Sequence, residues 1–394
     1  MKKYSIRMII LLSVIISILA SCAEQKKEEF SFIIASDQRQ HATQAYRTNK
    51  YTLGGFEAMK EIGQGSFIII NGDLDPPQAT RELLDIVLGK DYPWYIVVGN
   101  HDAEKEENME YLRNTPKGDG THTINKGPSG CEETTYSFDR FDAHFVVLNL
   151  YYDGKSDRTL DGIVVPELLE WLENDLKQND KKIIFVFGHE PIIPILDMDN
   201  GTVRHLGDAM DKYPDNTLKF LRMMLKYKVT AFFSGHTHCT SYGNVNGLWL
   251  INSGHIYGQE SEFTPERLLV YLKREIPDYN NTLIEVVKHL SSVSESNMKE
   301  FKKLVFNLGY GIGEDYKNLS NEETIKRVNE FYTNCLKDES EIERYTKLFL
   351  EKTEWRKSTF LRITMNPEAP LLEIYRDKDY TGNYELKYSL SLTK

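Results

Sequence analysis

Five clusters of polar residues in this 394-residue sequence are rich in side chains that bind metal ions. Each cluster directly follows a short apolar run. The clusters are Asp37, Asn71-Gly72-Asp73-Leu74-Asp75, Gly99-Asn100-His101-Asp102, Gly188-His189-Glu190-Pro191 and Gly235-His236-Thr237-His238. Carboxylate, amide and imidazole ligands together suit Mn, Fe or Zn better than Mg or Ca. There are enough ligands for two metals, and a two-metal site can activate a water and hold a phosphoryl oxygen.

The apolar runs are short, rich in β-branched or aromatic residues and bounded by turn residues, which is typical of buried strands. They are Phe30–Ser36, Ser66–Asn71, Trp94–Val98, His144–Asn149, Lys182–Phe187, Thr230–Ser234 and Leu248–Asn252. Amphipathic stretches between them predict helices, at Leu53–Ile62, Thr80–Leu88, Val165–Lys177 and Asn216–Tyr227. This alternation favours an α/β fold with helices over a central sheet. Sites in such folds form at the carboxyl ends of strands, so we expect the clusters to converge on one rim.

The pattern changes between residues 264 and 352, where leucine, lysine and glutamate recur at helical spacing. Three further strands are predicted after it, at Thr359–Met365, Pro370–Tyr375 and Tyr384–Leu392. We therefore predict a catalytic domain at residues 30–263 and a helical insertion or subdomain at 264–352. Residues 353–394 would return to the catalytic domain as strands.

The N-terminus reads as a bacterial export signal. Basic residues precede the apolar run Met8–Ala20, whose 13 residues are too few to cross a hydrocarbon core of about 30 Å. Leu19-Ala20-Ser21-Cys22 resembles the lipobox, in which cleavage before the cysteine precedes lipidation of its thiol. We expect a signal peptide at 1–21, a lipidated tether at 22–29 and a lipid anchor on Cys22. The predicted location is the bacterial cell envelope, at the outer membrane because Ala23 follows the cysteine.

The net charge excludes one class of partner and the cysteine count excludes one class of fold. With 48 Lys and Arg against 59 Asp and Glu, the formal charge is −11, which disfavours general binding to nucleic acid. Four cysteines are too few for a disulfide-rich scaffold. If Cys22 is lipidated, Cys131, Cys239 and Cys335 remain, and an odd number leaves at least one free thiol.

The order and spacing of the five clusters resemble the calcineurin-like metallophosphoesterase superfamily. Its motifs run D-x-H, GDxxD, GNH-D/E, GHxP and GHxH, and the resemblance covers about residues 30–254. It implies a four-layer αββα sandwich with an additional helical block near the C-terminus. It also implies two divalent or trivalent transition metals (Mn, Fe or Zn) and a metal-bound hydroxide that hydrolyses a small phosphomonoester or phosphodiester.

The superfamily's residue roles can be carried over motif by motif. The resemblance implies that Asp73 bridges both metals. The other implied ligands are Asp37 and His238 at the first metal, and Asn100, His189 and His236 at the second. His101 would protonate the leaving oxygen or stabilise its charge, and Asp102 would orient His101. Asp102 could equally cap a helix.

The first motif departs from the superfamily because Arg39 stands where a histidine ligand is expected. A guanidinium has no lone pair to donate to a metal. Three outcomes stay open: a first metal held by fewer protein ligands, replacement by Gln38, Gln40 or His41, or contact of Arg39 with the substrate phosphate. We favour a retained but altered first site. In GDLD the second aspartate, Asp75, comes one residue early, which favours a role in shaping the loop.

Arg39 also supports an alternative function. The chain could be a lipid-anchored binding or assembly protein whose phosphoesterase scaffold carries an altered, mononuclear or inactive site. Retention of the other ligands argues against that alternative. Three further histidines, His122, His205 and His255, lie in loops or near a strand end, and Cys239 is expected to be structural.

Overall fold

The computed structural model describes residues 30–39, 50–159, 162–195, 197–198, 205, 207–256, 320, 357–366, 368–378 and 381–393. The predicted signal peptide, Cys22, Gln40, His41 and, apart from Ser320, the predicted helical block lie outside these residues. No helix in the described ranges is both long and apolar enough to cross a membrane.

The described strands form two sheets, one of six strands and one of seven. In spatial order, the first sheet contains β13 (Tyr384–Ser391), β12 (Leu371–Asp377), β11 (Thr359–Thr364), β1 (Ser31–Ala35), β2 (Ile68–Ile70) and β3 (Trp94–Ile96). The second contains β4 (Asn125–Lys126), β5 (Tyr136–Arg140), β6 (Ala143–Val147), β7 (Ile183–Phe187), β8 (Ala231–Ser234), β10 (Leu248–Ser253) and β9 (Thr240–Val245).

Strand β1 lies in the middle of the first sheet and connects its two halves. It pairs in parallel with β2, which pairs in parallel with β3. On its other side it pairs antiparallel with β11, with Phe32 opposite Ile363. Strands β11, β12 and β13 therefore complete the sheet that begins with β1, although residues 257–356 separate them in sequence.

Six α-helices are described, along with one short 3₁₀ helix at Met210–Lys212. They are α1 (Lys50–Ile62), α2 (Pro77–Val87), α3 (Asn100–Ala103), α4 (Glu106–Asn114), α5 (Pro166–Gln178) and α6 (Pro214–Lys226). Helices α2, α5 and α6 each begin at a proline. Proline is favoured there because its missing N–H would have no partner in the first turn and its φ is already helical.

Three apolar clusters define the order of the layers. The middle cluster lies between the sheets and includes Phe32, Phe67 and Phe145, with ring centroids of Phe32 and Phe67 5.1 Å apart. The outer clusters join the first sheet to α1, α2 and α4, and the second sheet to α5 and α6. The fold is thus a helix–sheet–sheet–helix sandwich, as the resemblance implies.

Alternation of elements alone predicts one central sheet, whereas the structure has two. The reason is visible in β1, whose five residues are all buried. Ile34 packs in the cluster between the sheets and Ile33 in the cluster under the helices. A strand that is apolar on both faces indicates complete cover but does not reveal whether a helix or another sheet covers each face.

Candidate active site

The predicted metal-binding clusters follow the carboxyl ends of parallel strands. Strands β1, β2 and β3 run in parallel in one sheet, and β7 and β8 run in parallel in the other. The residues are Asp37 after β1, Asp73 after β2, Asn100 after β3, His189 after β7, and His236 and His238 after β8. The contacts described below join both sheets, so these strand ends meet at one rim.

The backbone turns sharply where four of the predicted ligands leave their strands. Asp37, Asp73, His236 and His238 have φ values of 54°, 57°, 66° and 57°. Residues other than glycine rarely adopt positive φ, and each such residue costs about 1–3 kcal/mol. Tertiary contacts must therefore hold these four residues in place.

Two glycines allow the loops after β2, β3 and β7 to pack against one another. A Cβ on Gly72 would lie 2.5 Å from Nδ1 of His189. A Cβ on Gly99 would lie 2.2 Å from Oδ1 of Asp73. Neither position has room for a side chain, so the glycines bring the ligand-bearing backbones into contact.

Asp37 is fully buried and joins the loop after β1 to the loop after β8. Its Oδ1 lies 3.2 Å from Nε2 of His238. Its Oδ2 accepts hydrogen bonds from the backbone N–H of His236 at 3.1 Å and from the hydroxyl of Ser36 at 2.5 Å. One carboxylate thus fixes the position of both histidines of the GHTH cluster.

His189 has one ring nitrogen fixed and the other directed at the acidic residues. Its Nδ1 donates to the carbonyl oxygen of Asn71 at 2.6 Å, which leaves a lone pair on Nε2. Nε2 is buried without a hydrogen-bond partner among the described residues and lies 3.5 Å from Oδ1 of Asp73. Burial lowers the pKa of His189, which favours the neutral imidazole that a metal requires.

His236 and Asn100 also meet at this rim. Nδ1 of His236 lies 3.2 Å from Oδ1 of Asn100. The ring centroids of His236 and His189 are 5.3 Å apart. The ring of His205 also lies against that of His236, with centroids 4.2 Å apart. Of the three additional histidines considered from sequence, His205 is the one that contacts His236.

The residues at the rim fit a transition-metal ion. One ligand atom from each of Asp37, Asp73 and His189 lies within 4.8 Å of the other two. Two carboxylate oxygens and a buried imidazole nitrogen without a hydrogen-bond partner are a donor set suited to such an ion. The hydrogen bond from Nδ1 of His189 to a carbonyl is the kind of partner that usually orients a histidine ligand.

Asp102 contacts the ligand-bearing loops, whereas the sequence analysis expected it to orient His101. Its buried carboxylate accepts four backbone hydrogen bonds of 2.8–3.2 Å, from the N–H groups of Asp73, Leu74, Asp75 and Gly99. The bond from Gly99 satisfies the N–H of the residue that caps α3, so Asp102 supports the cap from inside the helix and is not itself the N-cap. Burial and the neighbouring Asp73 raise the pKa of Asp102 to about 7.

Glu104 contacts the ring of His101 in place of Asp102. Nδ1 of His101 lies 3.1 Å from Oε2 of Glu104, and Nε2 lies 3.9 Å from Oδ2 of Asp73. The side chain of His101 is 26% exposed, in contrast to the buried His189. His101 is thus placed between the predicted metal ligands and the solvent.

Arg39 lies close enough to Asp73 to influence its charge. Burial favours the neutral form of Asp73, but His189, His101 and Arg39 oppose it and hold the pKa of Asp73 below its ordinary value. Nε of Arg39 is buried and has no hydrogen-bond partner in the part of the chain that the structure describes. Both polar atoms of Gln38 are likewise buried without a partner, and His41, the other proposed substitute, lies outside the described residues.

Asp75 holds the GDLD loop to α4. Its Oδ1 accepts hydrogen bonds from Nζ of Lys105 at 2.6 Å and from Nδ2 of Asn108 at 3.0 Å. These partners belong to α4 and to the residue before it. The Asp75 side chain therefore fixes the GDLD loop to that helix.

Glu190 and Tyr151 form a buried pair beside His189 that the sequence analysis did not assign to the site. The Tyr151 hydroxyl donates to Oε1 of Glu190 at 3.0 Å, and the Tyr151 and His189 ring centroids are 6.3 Å apart. Burial raises the pKa of Glu190 to about 7. The available signal was the position of Glu190 directly after His189.

His122, His255 and Cys239 complete the set considered from sequence. His122 contacts Thr121 and Asp119 of its own loop. His255 is fully buried, with its ring centroid 5.5 Å from that of His238. Cys239 and Cys131 are both buried.

Comparisons with known proteins agree with the motif pattern. The model of the calcineurin-like phosphoesterase family matches residues 43–240, half of the chain. This stretch contains Asp73, Asn100 and the histidines of the last two motifs, and it begins after Asp37. No curated protein sequence matches the chain.

Similar solved structures include a dimetal phosphatase from Danio rerio, with 15% identity, a TM-score of 0.40, and cover of 58% of this chain and 88% of that one. GAP50, the anchor in the inner membrane complex of Plasmodium, has 11% identity and a TM-score of 0.46, and the match covers 93% of this chain and 89% of that one. A 5'-nucleotidase from Candida albicans has 13% identity and a TM-score of 0.34, and the match covers 58% of this chain and 46% of that one. By the family match over residues 43–240, this chain belongs to the calcineurin-like phosphoesterase family.

Proposed function

We propose that this protein is a metal-dependent phosphoester hydrolase with a dinuclear site. The observation that carries the proposal is the buried group of Asp37, Asp73 and His189, whose ligand atoms lie within 4.8 Å of one another in a member of this family. His189 is the strongest indication of a metal, because its Nε2 is buried, lies beside a carboxylate and has no hydrogen-bond partner within the described ranges. Leaving such a polar atom unsatisfied costs about 1–3 kcal/mol, which a bound cation would offset.

Each metal would have its own ligands, with Asp73 between them. The proposed ligands are Asp37, Asp73 and His238 for the first metal, and Asp73, Asn100, His189 and His236 for the second. When bound, the metals would supply a water acidic enough to attack phosphorus and positive charge for the phosphoryl oxygens. Their identity among Mn, Fe and Zn stays a prediction.

His101 is the residue best placed to act on the leaving group. The Asp73 carboxylate accepts the backbone N–H of His101 at 3.0 Å, which fixes the start of α3 beside the metal ligands. The Glu104 carboxylate accepts from Nδ1 of the ring, so the imidazolium form of His101, which is protonated on both nitrogens, would donate its Nε2–H to the departing ester oxygen. General-acid catalysis of this kind contributes typically about 10²–10⁴-fold in rate.

Arg39 would bind the substrate phosphate from the side of the first metal. Its permanent charge already acts on Asp73, and a guanidinium suits phosphate because it offers paired donors. The substrate would be a small phosphomonoester or phosphodiester, since the acidic chain disfavours nucleic acid.

The anchoring to the cell envelope is a proposal from sequence. The lipobox-like Leu19–Cys22 after an apolar run supports lipidation of Cys22. Incorporation of labelled palmitate into the wild-type chain, and none into Cys22→Ser, is the expected result. Equal labelling of both chains would contradict the anchor.

The activity is tested on the full chain in detergent with an aryl phosphate and an aryl phosphodiester as substrates and added Mn²⁺. We expect turnover of at least one substrate, abolished by chelation and restored by metal. Asp73→Asn should lose metal and activity together. His101→Ala should keep its metal and lose about 10²–10⁴-fold in kcat. A chain that binds less than one metal and that no metal activates would refute the proposal.

The second candidate is a binding or assembly protein, and Arg39 is the observation that favours it. Arg39 stands at a family metal-ligand position and its charge reaches Asp73. In this case Arg39→His would raise metal occupancy and create hydrolysis that the wild type lacks. A wild type that is already active would exclude this candidate.

A further inference from the structure

We propose that His255 is a ligand of the first metal and supplies the imidazole that Arg39 does not; this rests on the proposed function above. In this arrangement each metal has two histidines: His189 and His236 at the second, His238 and His255 at the first. The sequence signal is weak, because His255 lies outside the five clusters and beyond residue 240, where the family match ends.

The topology delivers His255 to the same rim as the other ligands. It follows β10, which lies next to β8 and pairs with it in parallel, with Asn252 opposite Ser234. His236 and His238 leave the carboxyl end of β8, and His255 leaves the carboxyl end of β10. Adjacent parallel strands place the residues that follow them side by side.

The backbone around His255 is fixed directly beside Asp37. The N–H of Ile256 donates to the carbonyl oxygen of Ser36, the residue before Asp37, at 3.1 Å. The carbonyl oxygen of His255 accepts the N–H of Thr359 on β11 at 2.7 Å. Two elements thus hold His255 between them, so its position does not depend on a free loop.

Gly254 provides the turn that brings His255 to this position. Its φ is +71°, and a Cβ there would lie 2.5 Å from Oγ1 of Thr240 and 3.1 Å from Cβ of Thr359. A glycine is therefore required for both conformation and space. The tight turn against two strands places a fully buried histidine at the rim.

The ring geometry of the two histidine pairs is similar. The centroids of His238 and His255 are 5.5 Å apart, and those of His189 and His236, the proposed ligands of the second metal, are 5.3 Å apart. The planes in both pairs are inclined, by 55° and 70°. Nε2 of His238 also lies 3.2 Å from Oδ1 of Asp37, so this histidine pair has a carboxylate beside it that would help to hold a metal.

The chemistry of the first site favours this assignment. Asp37, Asp73 and His238 provide two oxygens and one nitrogen. Arg39 cannot add a fourth ligand because its guanidinium has no lone pair. A second imidazole restores the mixed nitrogen and oxygen set that suits Mn, Fe or Zn.

The test counts metal ions in the full-length protein in detergent. Each chain is stripped with chelator, loaded with Mn²⁺ or Zn²⁺, freed of excess metal and analysed by elemental mass spectrometry. We expect two ions in the wild type and one in His255→Phe, which keeps an aromatic ring in the buried position. His122→Ala, in a loop that contacts its own residues, should retain two.

A rescue variant separates a lost ligand from a damaged fold. Adding Arg39→His to His255→Phe returns an imidazole at the family position, so the count should rise from one to two. Four results would overturn the proposal: a wild type that binds one ion, two ions retained in His255→Phe, no rescue by the double variant, or loss of the first metal in His41→Ala without loss in His255→Phe. A chain that binds two ions and hydrolyses no phosphoester would instead refute the proposed function and leave the ligand assignment standing.

Discussion

Two buried histidines of the second sheet show how neighbouring acceptors decide whether an imidazole donates hydrogen bonds or can bind a metal. They lie at opposite ends of the adjacent parallel strands β6 and β7. His144, at the amino end of β6, lies between two carboxylates, with Nδ1 2.7 Å from Asp139 and Nε2 2.8 Å from Asp175. His189, after the carboxyl end of β7, donates to a carbonyl through Nδ1, and no described residue forms a hydrogen bond with its Nε2. Both histidines lie among acidic residues, yet His144 donates through both ring nitrogens, whereas His189 keeps one nitrogen that can bind a metal.

The difference lies in the lone pair. With a carboxylate at each nitrogen, His144 is held as a double donor. Burial lowers its pKa, but the hydrogen bonds to Asp175 and Asp139 outweigh burial and raise the pKa overall. The pKa of His189 is lowered by burial, and its Nε2 keeps a lone pair for a metal. A count of nearby carboxylates would not have separated the two; the partner of each nitrogen does.

Exchanging each histidine for alanine should give the largest contrast. We expect His189→Ala to weaken metal binding at least about 100-fold, the upper figure for removing a group that only orients a ligand. His144→Ala should bind metal as the wild type does and be less stable. Metal titration and thermal unfolding of both variants measure the two effects. Equal metal loss in both would break the comparison.

Removing the carboxylate of Asp102 should have the next largest effect. Asp102→Ala leaves the backbone N–H groups of Asp73, Leu74, Asp75 and Gly99 without that acceptor. A buried unsatisfied donor costs about 1–3 kcal/mol, so we expect a loss of about 3 kcal/mol or more in the free energy of unfolding. Metal affinity should fall about 10–100-fold because the loops of the ligands loosen.

Asp102→Asn serves as the matched control for that experiment. Its oxygen can still accept from Leu74 and Asp75. Its amide N–H₂ would face the N–H groups of Asp73 and Gly99, and donors that face donors form no hydrogen bonds. An intermediate loss of stability, measured by denaturant unfolding, is expected. If the alanine variant were as stable as the wild type, the four hydrogen bonds would not hold the loops.

The smallest expected effect is a pH dependence at His144. A raised folded-state pKa means that its contribution to stability is complete below the unfolded value of about 6.5 and declines as pH rises through the folded value. The difference in free energy of unfolding between wild type and His144→Gln should therefore be largest near pH 5.5, at about 1–3 kcal/mol, and smaller at pH 9. A difference that grows with pH would contradict a doubly bonded, charged His144.

Most of the strands could be predicted from sequence because their composition is locally decisive. The runs around β1, β2, β7, β8 and β10 are apolar and bounded by turn residues, and the observed bounds agree to within three residues. Strands β4, β5 and β9 and helices α3 and α4 were not predicted. Strand β9, Thr240–Val245, is half polar and contains a glycine, and it forms because β10 pairs with it along its whole length.

The sequence by itself determined the residue types and the order of the predicted metal ligands, because five motifs that follow five strands form a local pattern that needs no folded context. It also exposed the anomaly at Arg39. Only the tertiary structure decided that Asp102 holds loops while Glu104 contacts His101, that Nε2 of His189 is the nitrogen left for a metal, and that His255 lies beside His238. Those outcomes depend on which hydrogen-bond partners meet across two sheets. The partners are distant in sequence, so no local sequence pattern predicts their contact.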